Sequence, residues 1–213
     1  MDPQLSLLKT NKSFLTFTLS NCNVSIANAM RRIILSEIPT VVIRSTPHEK
    51  SDVVIQVNTT RLNNEILKQR LSSIPIFIRD KLSPEELREY TVVIEKKNES
   101  GSMEFITTED FKIKHSDKEL SSDVVHKIFP PDPITKDYIL FARLRPKISD
   151  EIPGEELKIT AKLSIGNAQE SSTFNVASTC SYAMTPDEAQ QYAAWAEKEK
   201  ALEASNISEN DMN

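Results

Sequence analysis

The stretch NVSIANAMRRIILSEIPT, residues 23–40, constrains the fold of this chain more than any other. It carries helical periodicity, with Asn23 as the expected N-cap and Pro39 as the stop. At about 100° per residue, Ile26, Ala27, Met30, Ile33, Ile34 and Ile38 share one broad apolar arc. Two adjacent arginines, Arg31 and Arg32, break the run, and a core helix carries charge only where something answers it. Ser25, Asn28, Arg32 and Ser36 fall in a narrow stripe opposite the arc, and Arg31 lies beside it. Small Ser and Asn around Arg32, in place of mixed Lys and Glu, set this stripe apart from an ordinary solvated face. A planar, always charged guanidinium suits bidentate contact with a carboxylate or with carbonyls of another chain. Spacing alone fits two solvated arginines equally well.

Composition narrows the field. The 213 residues can bury a real core, with 38% apolar and 27% charged residues. A net charge of −5 supplies no basic field to hold a phosphate backbone, so direct nucleic-acid binding is not expected. Three glycines leave no material for a phosphate-cradling loop. Cys22 and Cys180 support neither a disulfide framework nor a cysteine zinc site. No apolar run is long enough for a membrane span and no basic, apolar leader opens the chain, so an intracellular protein is expected. The sequons at Asn11, Asn23, Asn58, Asn98 and Asn206 are then chance.

The patterning reads as α+β. LSLLK and FLTFTLS alternate across TNKS as a β-hairpin before the helix. VVIRS and DVVIQV read as strands, RLNNEILKQRLSSI as an amphipathic helix ended by Pro75, and IPIFI as a buried extended piece. Residues 81–137 are polar and turn-rich, with one clear strand at YTVVIEKK, whose Glu95, Lys96 and Lys97 read as strand-edge protection. YILFARLRP and ELKITAKLSIG are again strands. A capping box from Thr185 to Glu188, with Pro186 at the first helical position, opens an alanine-rich helix, and NISENDMN reads as disordered.

Three ordered blocks carry a family resemblance. NAMRRIILSEIPT supplies Asn28, Arg31, Arg32, Leu35, Ser36 and Pro39. NTTRLNNEILKQRLSSIPI supplies Asn58, Thr59, Leu62, Glu65, Arg70, Leu71, Ile74 and Pro75. LFARLRPKISDEIPGEELKITAKLSIG supplies Leu144, Gly154, Glu156 and Leu157. Together they span roughly residues 14–182 and resemble the RNA polymerase α-type assembly subunits: bacterial α, its archaeal counterpart and the eukaryotic third-largest subunit.

The resemblance implies a discontinuous dimerisation domain of β-hairpin sheet plus helices, at residues 1–45 and 179–213, interrupted by a mostly β insert at 46–178. It implies a non-catalytic scaffold that forms a heterodimer with a small α-like subunit through Ile26, Ala27, Met30, Ile33, Ile34 and Ile38. The second-largest polymerase subunit would then meet Asn28, Arg31, Arg32 and Ser36, with Arg32 aligned to the second family arginine. Asn58, Thr59, Glu65, Arg70 and Pro75 form the insert motif.

Departures qualify the match. Some family members hold zinc or iron–sulfur cysteines in the insert; this insert has no cysteine before Cys180, so no metal and no cofactor are expected. AQESSTF stands where the family has H-A-K-W, and residues 179–213 supply one alanine-rich helix and a polar tail, which either replace the family's final helix or mark a chain shorter than the full subunit, the fragment being the favoured expectation. Cysteine loss beside eukaryote-like blocks also resembles polymerase subunits of large DNA viruses. The implied location is the nucleus, or host cytoplasm and virion in the viral case. An enzyme would need convergent acid, base or nucleophile groups, and His48, His115 and His126 stand apart in the sequence. The alternative function is a free-standing oligomerisation or adaptor module of the same fold outside polymerase.

Overall fold

The computed structural model of the chain describes residues 2–11, 13–78, 83–116, 118–149 and 151–204. Two compact units divide it: Met1–Asn28 with Ser181–Asn213, and Ala29–Cys180.

In the first unit, β1 (Gln4–Asn11) and β2 (Phe14–Ser20) pair as the expected antiparallel hairpin. One extra residue between Ser6 and Lys9 shifts the register, and Leu7 takes a left-handed backbone at φ 52°. None of this unit's described residues is buried. Helix α1 (Val24–Ser36) starts as the sequence predicts: the Asn23 side chain accepts the Ser25 N–H at 2.9 Å, and its carbonyl accepts the Ile26 N–H at 2.9 Å. The C-terminal helix differs from expectation. It runs from Glu188 to Ala204, and its cap is Asp187, not Thr185: the Asp187 carboxylate accepts the Gln190 N–H at 3.1 Å. A carboxylate at this position also answers the positive end of the helix dipole, which a threonine two residues earlier cannot. The residues expected to be disordered lie outside the described ones.

The second unit is built on a five-stranded antiparallel sheet. Its members are β4 (Val53–Asn58), β5 (Tyr90–Lys97), β7 (Lys112–His115), β8 (Lys118–Glu119) and β10 (Glu156–Lys162), in the order β4-β10-β5-β7-β8. Two small pairs complete it: β3 (Thr40–Val42) with β11 (Ser164–Gly166), and β6 (Glu104–Thr107) with β9 (Leu140–Leu144). Helices α2 (Asn64–Ser72), α3 (Pro84–Arg88) and α4 (Ser122–Ile128) cover one face of the large sheet. Strand alternation makes this possible. Val92 and Ile94 of β5, Ile113 of β7, and Leu157, Ile159 and Ala161 of β10 all point into one core. Leu67 and Leu71 of α2, one turn apart, seal it from above. The Phe111 ring meets Phe129 and Phe141 edge-on, at centroid distances of 5.4 and 5.7 Å.

Two expectations are corrected here. Residues 81–137 hold far more than one strand: α3, β6, β7, β8 and α4 lie there, and Phe111, Ile113, Val125, Ile128 and Phe129 from this stretch enter the core. Those elements are two to seven residues long, too short to show a period. The IPIFI piece is extended but not buried throughout, since Ile74 is enclosed and Phe77 is 54% exposed. β5 carries Glu95, Lys96 and Lys97 past Val93, where its pairing with β7 ends, but Lys96 does not stand free at that edge. Lys96 instead pairs with Asp110 at 2.9 Å and donates to the Phe105 carbonyl.

Helix α3 opens with a capping box in which the Glu86 carboxylate accepts the Ser83 N–H at 2.6 Å. That backbone hydrogen bond, then the one with the Ser83 hydroxyl, holds the Glu86 carboxyl below its ordinary value. The cap therefore contributes fully above the ordinary carboxylate range and is lost as pH falls through the lowered value.

Candidate functional site

Helix α1 is rich in Ile, Met, Ala and Leu, yet it has no buried residue. The chain covers only part of its circumference. Ala27, Met30, Ile34 and Leu35 are half-buried, whereas Ile26, Ala29, Ile33 and Arg32 are exposed, Ile33 at 50%. At about 100° per residue these four exposed positions occupy one continuous arc of roughly 120°. Ile38, past the helix end, is exposed too.

The two arginines part company. Arg31 falls on the covered side, half-buried and partnered, as is Asn28. Arg32 is exposed, and its guanidinium makes no hydrogen bond or ion pair among the described residues. Ser36 is used internally: its hydroxyl donates to the Arg32 carbonyl at 2.8 Å, and its own carbonyl accepts the Gln169 N–H at 3.0 Å. The segment that departs from the family's H-A-K-W thus closes the C-terminal end of α1, and nearby Glu170 pairs with Arg44 at 2.8 Å.

The insert motif is a clasp at the head of β10, an interior strand of the large sheet. The Asn58 amide donates to the Leu62 carbonyl and to Asn64 Oδ1, both at 2.8 Å, while its Oδ1 accepts from the Thr60 N–H and hydroxyl. Thr59 grips Glu156 of β10: its hydroxyl accepts the Glu156 N–H at 2.7 Å, and its N–H donates to the Glu156 carbonyl at 3.0 Å. Arg70 donates to the Leu140 carbonyl at 3.0 Å, tying α2 to β9. Glu65 and Pro75 are exposed.

Sequence reasoning missed a second copy of this clasp on the other flank of β10. The Asn98 amide donates to the Ser102 carbonyl at 2.8 Å and to the Leu144 carbonyl at 3.0 Å, and its Oδ1 accepts from the Ser100 N–H and hydroxyl. Its N–H reaches the Glu155 carbonyl at 2.9 Å. Both sites read N-x-S/T, and that shared spacing was the available signal. Asn98, 0% exposed, is closed to glycosylation. Asn58→Ala should lower stability in urea by about 2–4 kcal/mol, since it strands several part-buried partners at about 1 kcal/mol each. Glu65→Ala should change it by under about 1 kcal/mol.

Nothing in the unit resembles a catalytic constellation among the described residues. A cleft of about 480 Å³ is lined by Glu95, Lys96, Glu109, Asp110, Lys112 and Glu119, with Ser122 and His126 at its wall. Its lysines are paired, Lys96 with Asp110 and Lys112 with Glu119 at 3.5 Å. His126 leans on Tyr138, and His115 stacks on Tyr90 at 4.4 Å while pairing with Glu89. No group of three or more His, Cys, Asp or Glu among the described residues could hold a metal ion. No helix among them is long and apolar enough to cross a membrane.

The family model for the RNA polymerase Rpb3/Rpb11 dimerisation domain matches residues 16–201, a span that includes α1 and both clasps. The chain belongs to this family. It is similar to DNA-directed RNA polymerases IV and V subunit 3B of Arabidopsis thaliana, 27% identical over 87% of this chain and 58% of that protein. It is likewise similar to human DNA-directed RNA polymerases I and III subunit RPAC1, 27% identical over 86% of this chain and 55% of that protein. The archaeal polymerase subunit Rpo3 of Pyrococcus horikoshii is 34% identical over 43% of this chain and 34% of its own length. The chain thus spans little more than half the length of the eukaryotic relatives named. The α-type assembly-subunit resemblance read from three sequence blocks stands. These relatives are eukaryotic and archaeal, and they give the viral expectation no support.

Proposed function

We propose that this chain is a non-catalytic assembly subunit of a DNA-dependent RNA polymerase. Residues 1–45 and 179–213 form its dimerisation domain, and 46–178 its insert. Through the apolar arc of α1 it takes a small α-like subunit as heterodimer partner. The adjoining stripe, with Arg32 as the charged contact and Asn28, Arg31 and Ser36 around it, docks the second-largest subunit. The work is done inside the cell, in the nucleus.

One observation carries this reading: an apolar helix with no buried residue, in a chain that belongs to a polymerase dimerisation family. The exposed Arg32, unpaired among the described residues, supports the second contact. Arg31, already partnered within the chain, has the smaller share in it.

The test is affinity capture of the tagged chain with identification of what comes with it. Recovery of a small α-like subunit together with both large polymerase subunits is the expected result. Recovery of a small partner without large subunits would point instead to the adaptor module. Arg32→Ala should leave the fold intact and weaken capture of the second-largest subunit by about 2–5 kcal/mol, the cost of removing one member of a desolvated charge pair. Arg32→Lys should fail as well, because an ammonium cannot reproduce a planar fork. Normal yield of the large subunits with Arg32→Ala sinks the assignment of Arg32.

A further inference from the structure

Helices α2, α3 and α4 cover one face of the five-stranded sheet, and the strand residues that alternate onto the other face are exposed or half-exposed. Strand register places its residues in rows. Val54, Thr160, Val93 and Lys112 form one row across four strands, and Lys162, Thr91, Lys114 and Glu119 form the next. The middle of this face is apolar or hydroxylated, and Val54 is 58% exposed.

Charge on this face runs against the chain as a whole. Lys97, Lys112, Lys114, Lys158 and Lys162 stand on it against Glu95, Glu119 and Glu156, in a protein whose net charge is −5. Lys158 is paired with Glu95 at 2.7 Å and Lys112 with Glu119 at 3.5 Å. Lys114 and Lys162, which face Thr91 from its two sides, make no ion pair among the described residues. The face already stabilises negative charge. The Glu95 carboxyl is held below its ordinary value by the Lys158 hydrogen bond first, then by the charges of Lys158, Lys112 and Lys114.

We propose that the open face of this sheet binds an acidic segment of another polypeptide, with carboxylates on Lys114 and Lys162 and an apolar side chain over Val54 and Val93. The spacing suits it. Two strand intervals separate the lysines by roughly 10 Å, close to the roughly 9 Å between residues three apart on a polyproline II segment, which share one face. A nucleic-acid strand fits worse. Among its described residues this face has no aromatic ring for bases to stack on and no arginine fork. The proposal stands on the sheet alone and does not depend on the polymerase reading.

Fluorescence anisotropy with the full chain tests it. The probes are a labelled peptide with glutamate at every third position and valine beside each glutamate, the same peptide with glutamine for glutamate, and a single-stranded RNA. The glutamate peptide should bind, more weakly as salt rises, and the glutamine peptide should not. Lys114→Gln with Lys162→Gln should weaken binding about tenfold, the combined effect of two exposed charge contacts. Lys198→Gln with Lys200→Gln, on the C-terminal helix, should leave it unchanged. Absence of binding, binding indifferent to the sheet variant, or RNA binding that depends on the same two lysines would overturn the proposal.

Discussion

Gly154→Ala is expected to unfold the insert unit or bring it close to unfolding. A β-carbon built on Gly154 would lie 1.8 Å from the Asn98 carbonyl oxygen, 2.9 Å from its carbon and 3.2 Å from the Lys147 nitrogen. All three obstacles are backbone, so no side chain can swing away. Nor can Asn98 retreat. Its amide is fixed by the Ser102 and Leu144 carbonyls, and its N–H is tied to Glu155. Next door, the Glu155 carboxylate is buried against the Arg145 guanidinium and accepts the Arg145 N–H at 2.8 Å. Backbone dihedrals are not the cause, since no glycine here has positive φ. A forced shift of this kind belongs among the exceptional substitutions, at about 4 kcal/mol or more, against a typical domain stability of about 5–15 kcal/mol. Gly101→Ala is the control, because a β-carbon there meets nothing within 4 Å and should change stability by under about 1 kcal/mol. Urea denaturation of both variants decides the matter. A Gly154→Ala protein within about 1 kcal/mol of the parent would contradict the close approach.

Gly154 also marks how far the sequence was legible. Its place in a motif block was readable; that it exists to let one backbone pass another needed Asn98, 56 positions earlier, in view. The long periodic elements were visible because period is a local property: the hairpin, α1, α2 and the strands β4, β5 and β10 appear where patterning put them. Strand order is not local. Nothing in the sequence says that β10, the last strand of the large sheet in chain order, pairs between β4 and β5. The short elements between 81 and 137 take their shape from the shared core around Phe111, which no window of that stretch can show. On α1 the apolar arc was readable, but which arginine faces outward depended on what the chain itself covers.

The chain without a partner is expected to self-associate or come out of solution, and to become a stable heterodimer when a small α-like subunit is co-expressed. The first unit shows why. Leu5, Leu7, Leu8, Phe14 and Leu15 of the hairpin are all more than half exposed, Leu7 at 72%, and Ile26 in the first turn of α1 is exposed beside no buried residue of its unit. Ile33 and Ile38 add to the apolar surface farther along. Full burial of such a side chain contributes roughly 1.5–3 kcal/mol, so recovering about half of that at eight positions gives roughly 6–12 kcal/mol. That is comparable with the whole stability of a domain. Placing charge on the exposed arc separates partner binding from folding. Ile26→Glu with Ile33→Glu should keep the lone chain in solution, leave the insert's cooperative unfolding unchanged and abolish heterodimer formation. Both positions are solvent-exposed, so the folded chain tolerates them, whereas a partner's apolar face would meet two unpaired carboxylates. Analytical ultracentrifugation of the unmodified chain gives the decisive measurement. A monodisperse monomer that unfolds cooperatively and ignores the co-expressed partner would end the dimerisation claim and remove the ground under the polymerase-scaffold reading.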